Sequence, residues 1–315
     1  MPPRTQPLGT SKKEQNALVR EVGTAVAPRS YEAECPVCGA ALSQTEASWV
    51  LQCRDCRFMS STLQADIGGT LHRNIDETAR LQALEPLRRN TARLILDALE
   101  ELKPDIGPIL EVGCGYGWFL EEARARGHSA IGIEPDRPIY DAAKKSGLDV
   151  RNGYFPEAVD TGEAFDVIVF NDVLEHIPYP HAVLEKVGMH LNEGGHLVVC
   201  GPSADGFLFN VARMLQHLGI KSYYARMWQK GLPSPHLSYW KPDHLSTLSG
   251  RLGLAEVRRV RMPSVDTRTL KQRLAYDRQG SAIGNVFALV AIYSAAPLLN
   301  MLPADIELQI FVKTR

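Results

Sequence analysis

The sequence predicts an α/β fold built on a mostly parallel sheet, and two observations carry that prediction. Four short apolar runs, 109–112, 130–133, 165–170 and 196–200, alternate with helical patterns, and each run leaves through a turn containing Gly, Asp or Pro. Buried parallel strands joined by crossover helices produce this alternation. The first run also leads directly into a glycine-rich turn and a helix, ILEVGCGYGWFLEEA. The composition agrees: 315 residues, 44% hydrophobic and 23% charged, is the balance of a globular protein, not a disordered or collagen-like one.

Taken in order, residues 1–30 mix Pro, Gly, Lys, Gln and Thr without apolar periodicity and are expected to form a mobile tail. They lack the apolar core of a secretory signal, so a cytoplasmic location is the default expectation. A small module over 31–60 carries Cys35-x-x-Cys38 and Cys53-x-x-Cys56. Fourteen residues separate the pairs, and four thiolates on two knuckles suit the closed tetrahedron of a structural zinc site. Cys114 and Cys200 lie beside apolar strands and read as small buried residues. A helical connector spans 61–107, with Leu84, Leu87, Leu94, Ile95, Ala98, Leu99 and Leu102 near a 3.6-residue period, closed by Pro104 and Gly107.

From 108 to 315 the chain reads as one domain. Helices are predicted over 118–126, stopped by Gly127, over 138–146, stopped by Gly147, and over 182–191, stopped by Gly194-Gly195. A further helix is predicted over 242–251 and strands over 254–262 and 306–312, which leaves two insertions, 203–241 and 263–304. The uncharged stretch 279–304 is interrupted by Gly284, Asn285, Ser294, Pro297 and Asn300 and falls short of a membrane span.

Net charge is −1, which conceals an asymmetry. Residues 108–205 carry 7 basic and 16 acidic side chains, and residues 206–315 carry 15 and 6. The basic third is available to an anionic ligand, unless it pairs with the acidic segment or faces solvent.

In the glycine turn, Gly113, Gly115 and Gly117 let the backbone approach a ligand and aim helix N-terminal amides at it. Trp118 stands where a dinucleotide fingerprint has its third glycine, which argues against NAD or FAD. Glu134 ends the next strand, 21 residues beyond Gly113, where a carboxylate can accept bonds from both ribose hydroxyls.

With EVGCGYG, IGIEPD, FDVIVFNDVLEHI and LNEGGHLVV in this order over 108–202, the chain resembles a class I S-adenosylmethionine-dependent methyltransferase. The resemblance implies a Rossmann-like sheet of seven strands with the last antiparallel, and an enzyme that uses S-adenosylmethionine. By resemblance, Glu111, Gly113, Gly115 and Gly117 surround the methionine portion of the cofactor. Glu134, followed by Pro135, holds the ribose, Gly153 and Tyr154 approach the adenine, and Asn171 lies at the mouth of the fourth strand. Both insertions then start at the edge where ligands bind and are expected to form a lid. Similar enzymes of bacterial sugar and natural-product pathways begin with a zinc module that helps cover the substrate.

Methyl transfer is an in-line displacement from an activated sulfonium, so the protein supplies alignment and, for some acceptors, a base. The resemblance places His176 near the transferred methyl, as a base or as a residue holding its loop, and His236 in the lid. Tyr179, Tyr239 and Trp240 are further candidates for the pocket wall. Arg251, Arg258, Arg259, Arg261, Arg268, Lys271, Arg273 and Arg278 are candidate clamps for an anionic acceptor.

The expected reaction is therefore methylation of O, N or C on a small molecule, an anionic sugar, nucleotide-linked compound or natural product. An rRNA or tRNA substrate is disfavoured, because the N-terminal third is net −1 and no basic run with interleaved aromatics flanks the cysteines. The 279–304 stretch leaves open a lipid or polyprenyl acceptor and contact with a membrane surface. A cofactor-sensing module without catalysis is the reading outside enzymes.

Overall fold

The computed structural model describes residues 34–66, 77–263 and 301–314. The expected N-terminal tail and most of the 263–304 insertion, with Arg268, Lys271, Arg273 and Arg278, lie outside the described residues.

Three short antiparallel strands, β1 (Leu42–Gln44), β2 (Val50–Cys53) and β3 (Met59–Ser61), form the body of the cysteine module. Helix α1 (Glu77–Leu102) follows and buries Ala92, Ile95, Leu96, Ala98 and Leu99 in the same cluster as Ile109, Val167 and Val198 of the sheet. Its outer side is pinned to the next helix by Arg89 and Arg93, which pair with Glu121 and Glu122.

The main sheet comprises β4 (Ile109–Val112), β5 (Ala130–Glu134), β6 (Val150–Asn152), β7 (Phe165–Asn171), β8 (Leu191–Pro202), β10 (Leu254–Met262) and β11 (Ile306–Lys313). Its order is β10-β11-β8-β7-β4-β5-β6, with β11 antiparallel to both neighbours. The central strands carry apolar runs: Ile109, Leu110, Val167, Ile168, Val169, Phe170, Leu197 and Val198 are all fully buried, as a sheet covered on both faces requires. Helices α2 (Trp118–Ala125), α3 (Arg137–Lys145), α4 (Pro180–His190) and α7 (Pro242–Arg251) supply the crossovers. Strand order reverses between β4 and β7, so a crevice opens at their carboxyl ends.

The expected seven strands are present. The seventh, β6, was not located from sequence, because its three residues, VRN, carry a single buried side chain, Val150. Helix α4 starts at Pro180, two residues before the predicted start, since proline fits the first turn of a helix, where its missing N–H costs nothing. Strand β8 begins at Leu191, earlier than the apolar run suggested, because Leu191 already pairs with Phe165 across an irregularity in the ladder.

The 203–241 insertion forms α5 (Phe207–His217), α6 (Lys221–Met227) and β9 (Ser238–Tyr239). Strand β9 pairs antiparallel with β3, Met59 opposite Tyr239 and Ser60 opposite Ser238, so the insertion completes the sheet of the cysteine module. Val50 and Met59 of the module share a core with Phe209, Tyr224, Trp228 and Tyr239 of the insertion. Module and insertion therefore form one covering layer.

Asp166 ties the start of β7 to its surroundings: it accepts from Lys103 Nζ (2.5 Å), Asn192 Nδ2 (2.8 Å) and Gly107 N (3.1 Å). These donors, Lys103 foremost, hold its carboxyl below the usual range. A carboxylate with a depressed folded-state pKa stabilises above its unfolded value, and the contribution is lost as pH falls through the folded one. Asp166→Ala is expected to lower stability by about 2 kcal/mol at pH 7 in urea unfolding, the deficit shrinking below about pH 4.

Candidate active site

Strand β4 delivers the chain into the turn Gly113 to Gly117. Gly113 and Gly117 have φ of 69° and 80°. A Cβ on Gly113 would sit 2.7 Å from Val173, and one on Gly117 would collide with Leu148, so the turn has room for glycine alone. Glu134 at the end of β5 braces it: Oε2 accepts from Gly115 N (2.9 Å) and Oε1 from Asp136 N (2.8 Å). Each oxygen retains a second lone pair, so the expected ribose contacts remain open to it. Burial pushes the Glu134 carboxyl up, against those two donors.

Two polar atoms in the crevice are buried without a hydrogen-bond partner among the described residues, Glu111 Oε2 on β4 and Asn171 Oδ1 at the end of β7. Burial, reinforced by Glu134, raises Glu111 well above the carboxylate range. Orphaned buried oxygens of this kind call for a donor, and the amine of a methionine moiety would supply one. Gly153 N donates to Glu134 O (3.3 Å), and Asn152 Nδ2 donates to the carbonyls of Glu134 (2.8 Å) and Pro135 (3.2 Å). The ends of β5 and β6 are thereby fixed side by side, with Tyr154 half exposed next to them. The residues present thus fit S-adenosylmethionine.

Beyond β7, the 3₁₀ turn Leu174–His176 places Glu175 and His176 under the insertion. His176 and His236 meet edge to face, ring centroids 4.9 Å apart, and Glu175 Oε1 lies 3.9 Å from His176 Nε2. His176 Nδ1 is within hydrogen-bond reach of Pro235 O (3.0 Å) and Ser234 Oγ (3.1 Å). Burial drives all three groups toward neutrality: Glu175 is raised to about 7, His176 lowered to about 4 and His236 to about 3. The structure thus brings together the two histidines that the sequence singled out 60 residues apart.

Tyr179 caps α4 and is 43% exposed. Of the two lid aromatics expected in the pocket wall, Trp240 reaches a cleft along one edge, whereas Tyr239 is withdrawn into the core. Tyr239 is buried, stacked on Phe209 at 4.1 Å, with its hydroxyl donating to Met227 O. Trp240 packs on Phe58 at 4.7 Å and donates to Ser238 Oγ (2.8 Å), leaving one edge in a small cleft shared with Glu175, Val199 and Glu307. Both are pinned because the insertion needs a core where it meets the module.

The clamp expectation also changes for Arg258, Arg259 and Arg261. Arg258 pairs with Glu101 (2.5 Å), Arg259 with Asp243 (3.1 Å) and Glu256 (2.7 Å), and Arg261 donates to Leu302 O. They belong to an edge strand, where ion pairs with neighbouring elements hold them. Sequence reasoning missed Arg88, which reaches from α1 to pair with Asp172 at the mouth of β7. No local pattern marks it, since its partner lies 84 residues away. It missed His244 too, whose Nδ1 accepts from Lys241 N (3.1 Å) and whose Nε2 donates to Cys56 O (2.9 Å).

The four cysteines expected to bind zinc converge: their Sγ atoms lie within 4.8 Å of one another, with Cys35 to Cys56 and Cys38 to Cys53 both at 3.4 Å. Tetrahedral zinc with bonds of about 2.3 Å separates its sulfurs by about 3.8 Å, so the set fits the ion and is far wider than a disulfide. Both knuckles close through a left-handed residue, Gly39 (φ 78°) and Arg57 (φ 68°).

A reversing parallel sheet with a glycine turn at β4 and a carboxylate at the end of β5 defines the class I methyltransferase fold. The family model of the methyltransferase domain matches residues 83–258, more than half of the chain, and the chain belongs to that family. A ubiquinone biosynthesis O-methyltransferase of Azorhizobium caulinodans is 31% identical over 134 residues, 38% of this chain and 53% of that protein. One of Marinobacter nauticus is 27% identical over 205 residues, 55% of this chain and 82% of that protein. The chain thus spans about half the length of the first relative. Among solved structures, a chain from the complex between the Haloferax volcanii Trm112 methyltransferase activator and a methyltransferase superposes with a TM-score of 0.53 at 15% identity. That match covers 78% of this chain and 98% of the other. It bears on the fold alone. Among the described residues no helix is long and apolar enough to cross a membrane.

Proposed function

We propose that this chain transfers a methyl group from S-adenosylmethionine to a hydroxyl oxygen of a small, anionic acceptor. The observation that carries the reading is the cluster of buried Glu175 and His236 with partly buried His176, following Asn171 at the crevice where the glycine turn and Glu134 would present the cofactor. When bound, S-adenosylmethionine supplies an electrophilic methyl on a sulfonium; the chain's own groups do the rest. Glu134 holds the ribose, the glycine turn and Glu111 hold the methionine end, and Gly153, Tyr154 and Pro135 border the adenine. The two histidines, kept neutral by burial, can accept the acceptor's proton. The names of the relatives support oxygen as the accepting atom. The basic residues over 206–315 other than the paired Arg258 and Arg259 support an anionic acceptor. Tyr179, half exposed near the turn, borders the acceptor, and zinc in the four-cysteine site is structural.

The test is a panel of hydroxylated carboxylates, sugar phosphates and prenylated phenols incubated with methyl-labelled cofactor, the product identified by mass spectrometry. Label on an ether oxygen of one acceptor class is expected, with His236→Ala lowering kcat by about 10²-fold or more. Label on nitrogen or on RNA would overturn the reading.

A further inference from the structure

We propose that Glu175, His176 and His236 form a second metal site, for a divalent transition ion that meets the acceptor. One ligand atom from each residue lies within 4.8 Å of the other two, and the Glu175 Oε1 to His176 Nε2 distance is 3.9 Å. Around an ion with bonds of about 2.1 Å, donor atoms stand about 3–4 Å apart, so a closure of at most about 1–2 Å completes the set. Glu175 and His236 are 3% and 7% exposed.

Each histidine is also held from its far side, as metal ligands are. The Pro235 carbonyl accepts from His176 Nδ1–H (3.0 Å), which leaves the lone pair on Nε2, the nitrogen that faces Glu175. His236 is fixed through its backbone, N–H donating to Trp228 O (3.0 Å) and carbonyl accepting from Ser61 Oγ (2.8 Å). Its Nε2 lies 2.9 Å from the Gln229 side-chain amide, and its Nδ1 is buried without a hydrogen-bond partner among the described residues. With the Gln229 oxygen turned toward Nε2–H, the Nδ1 lone pair is open to an ion. The set of nitrogen and oxygen donors also separates this site chemically from the four thiolates of the cysteine module.

Three protein ligands leave a coordination position for the acceptor. With the ion bound, both histidine lone pairs are engaged, so an acceptor hydroxyl in that position loses its proton to water and not to a histidine, and does so more readily because the ion stabilises the oxyanion. That oxygen then bonds to the methyl carbon as the carbon–sulfur bond breaks, and the electron pair stays on sulfur to give the neutral thioether. This use of the ion rests on the proposed oxygen acceptor, whereas the site itself rests on the three side chains.

Manganese(II) tests it, since it avoids thiolates and its free aqua ion gives an electron paramagnetic resonance signal that binding removes. The zinc-loaded full chain is expected to take up about one equivalent of manganese, and Glu175→Gln and His236→Gln to bind it at least tenfold more weakly. S-adenosylhomocysteine binding, read by calorimetry, reports that each variant is folded. Wild-type protein that binds no manganese, or folded variants that retain wild-type manganese affinity, would overturn the site. Because manganese uptake is read without any acceptor, the site stands or falls apart from the methyl-transfer reading.

Discussion

Removal of the zinc proposed for the four-cysteine module is expected to lower kcat about 100-fold or more, although its ligands Cys35, Cys38, Cys53 and Cys56 belong neither to the glycine turn nor to the Glu175, His176 and His236 cluster. The reason is the route by which the module holds the insertion. Cys53 N donates to Phe58 O, which fixes the second knuckle just ahead of β3. Strand β3 then carries β9 through the Met59–Tyr239 and Ser60–Ser238 pairs. Ser61 donates twice, N to Leu237 O (2.9 Å) and Oγ to His236 O (2.8 Å), so the position of His236 is set from the module. His244, at the start of α7, is anchored on Cys56 O. Structural zinc contributes on the order of 10 kcal/mol to folding in small modules, far more than β1, β2 and β3 could secure alone. Cys53→Ser should therefore release about one equivalent of zinc, unravel the module sheet and let His236 drift, which the near-ultraviolet signal of Trp49, Trp228 and Trp240 would report. A Cys53→Ser protein with wild-type kcat would sink this account.

Glu134→Ala is expected to weaken S-adenosylhomocysteine binding by about 100-fold or more. A hydrogen bond to a charged group contributes about 1.5–3 kcal/mol, and Glu134 is placed to accept from the ribose while its other lone pairs hold Gly115 and Asp136. Removal costs the ligand contact and loosens the turn together. Glu134→Gln keeps the shape and one acceptor oxygen and should fall between the two. Calorimetric titration decides; a Kd within threefold of wild type in Glu134→Ala would contradict the role.

The legible parts of this protein are those that local chemistry dictates. The buried strand 109–112, the glycines that follow and Glu134 stand in one contiguous stretch, so their spacing carries the geometry of the turn. Helix 242–251 and strand 254–262 were readable to the residue because a proline, a glycine and a clear alternation bound them. Strand β6 was not, since three residues at a sheet edge hold too little apolar surface to stand out. The basic third misled in part: Arg258 and Arg259 look like free charge in a sequence, yet Glu101, Asp243 and Glu256 neutralise them in the fold.

By itself, then, the sequence determined the methyltransferase sheet, the glycine turn with its acidic strand end and the four-cysteine module, each of which shows as a local pattern of apolar runs, glycine spacing or paired cysteines. Only the tertiary structure decided that β9 belongs to the module's sheet, that Arg88 faces Asp172, and that Glu175, His176 and His236 share one buried site. Those contacts join segments 60 to 180 residues apart, and at such separations closing the chain costs entropy that only a packed core offsets. No local pattern encodes them; for the β3–β9 pairing, hydrophobic burial at the core of Met59, Phe209, Trp228 and Tyr239 makes the selection.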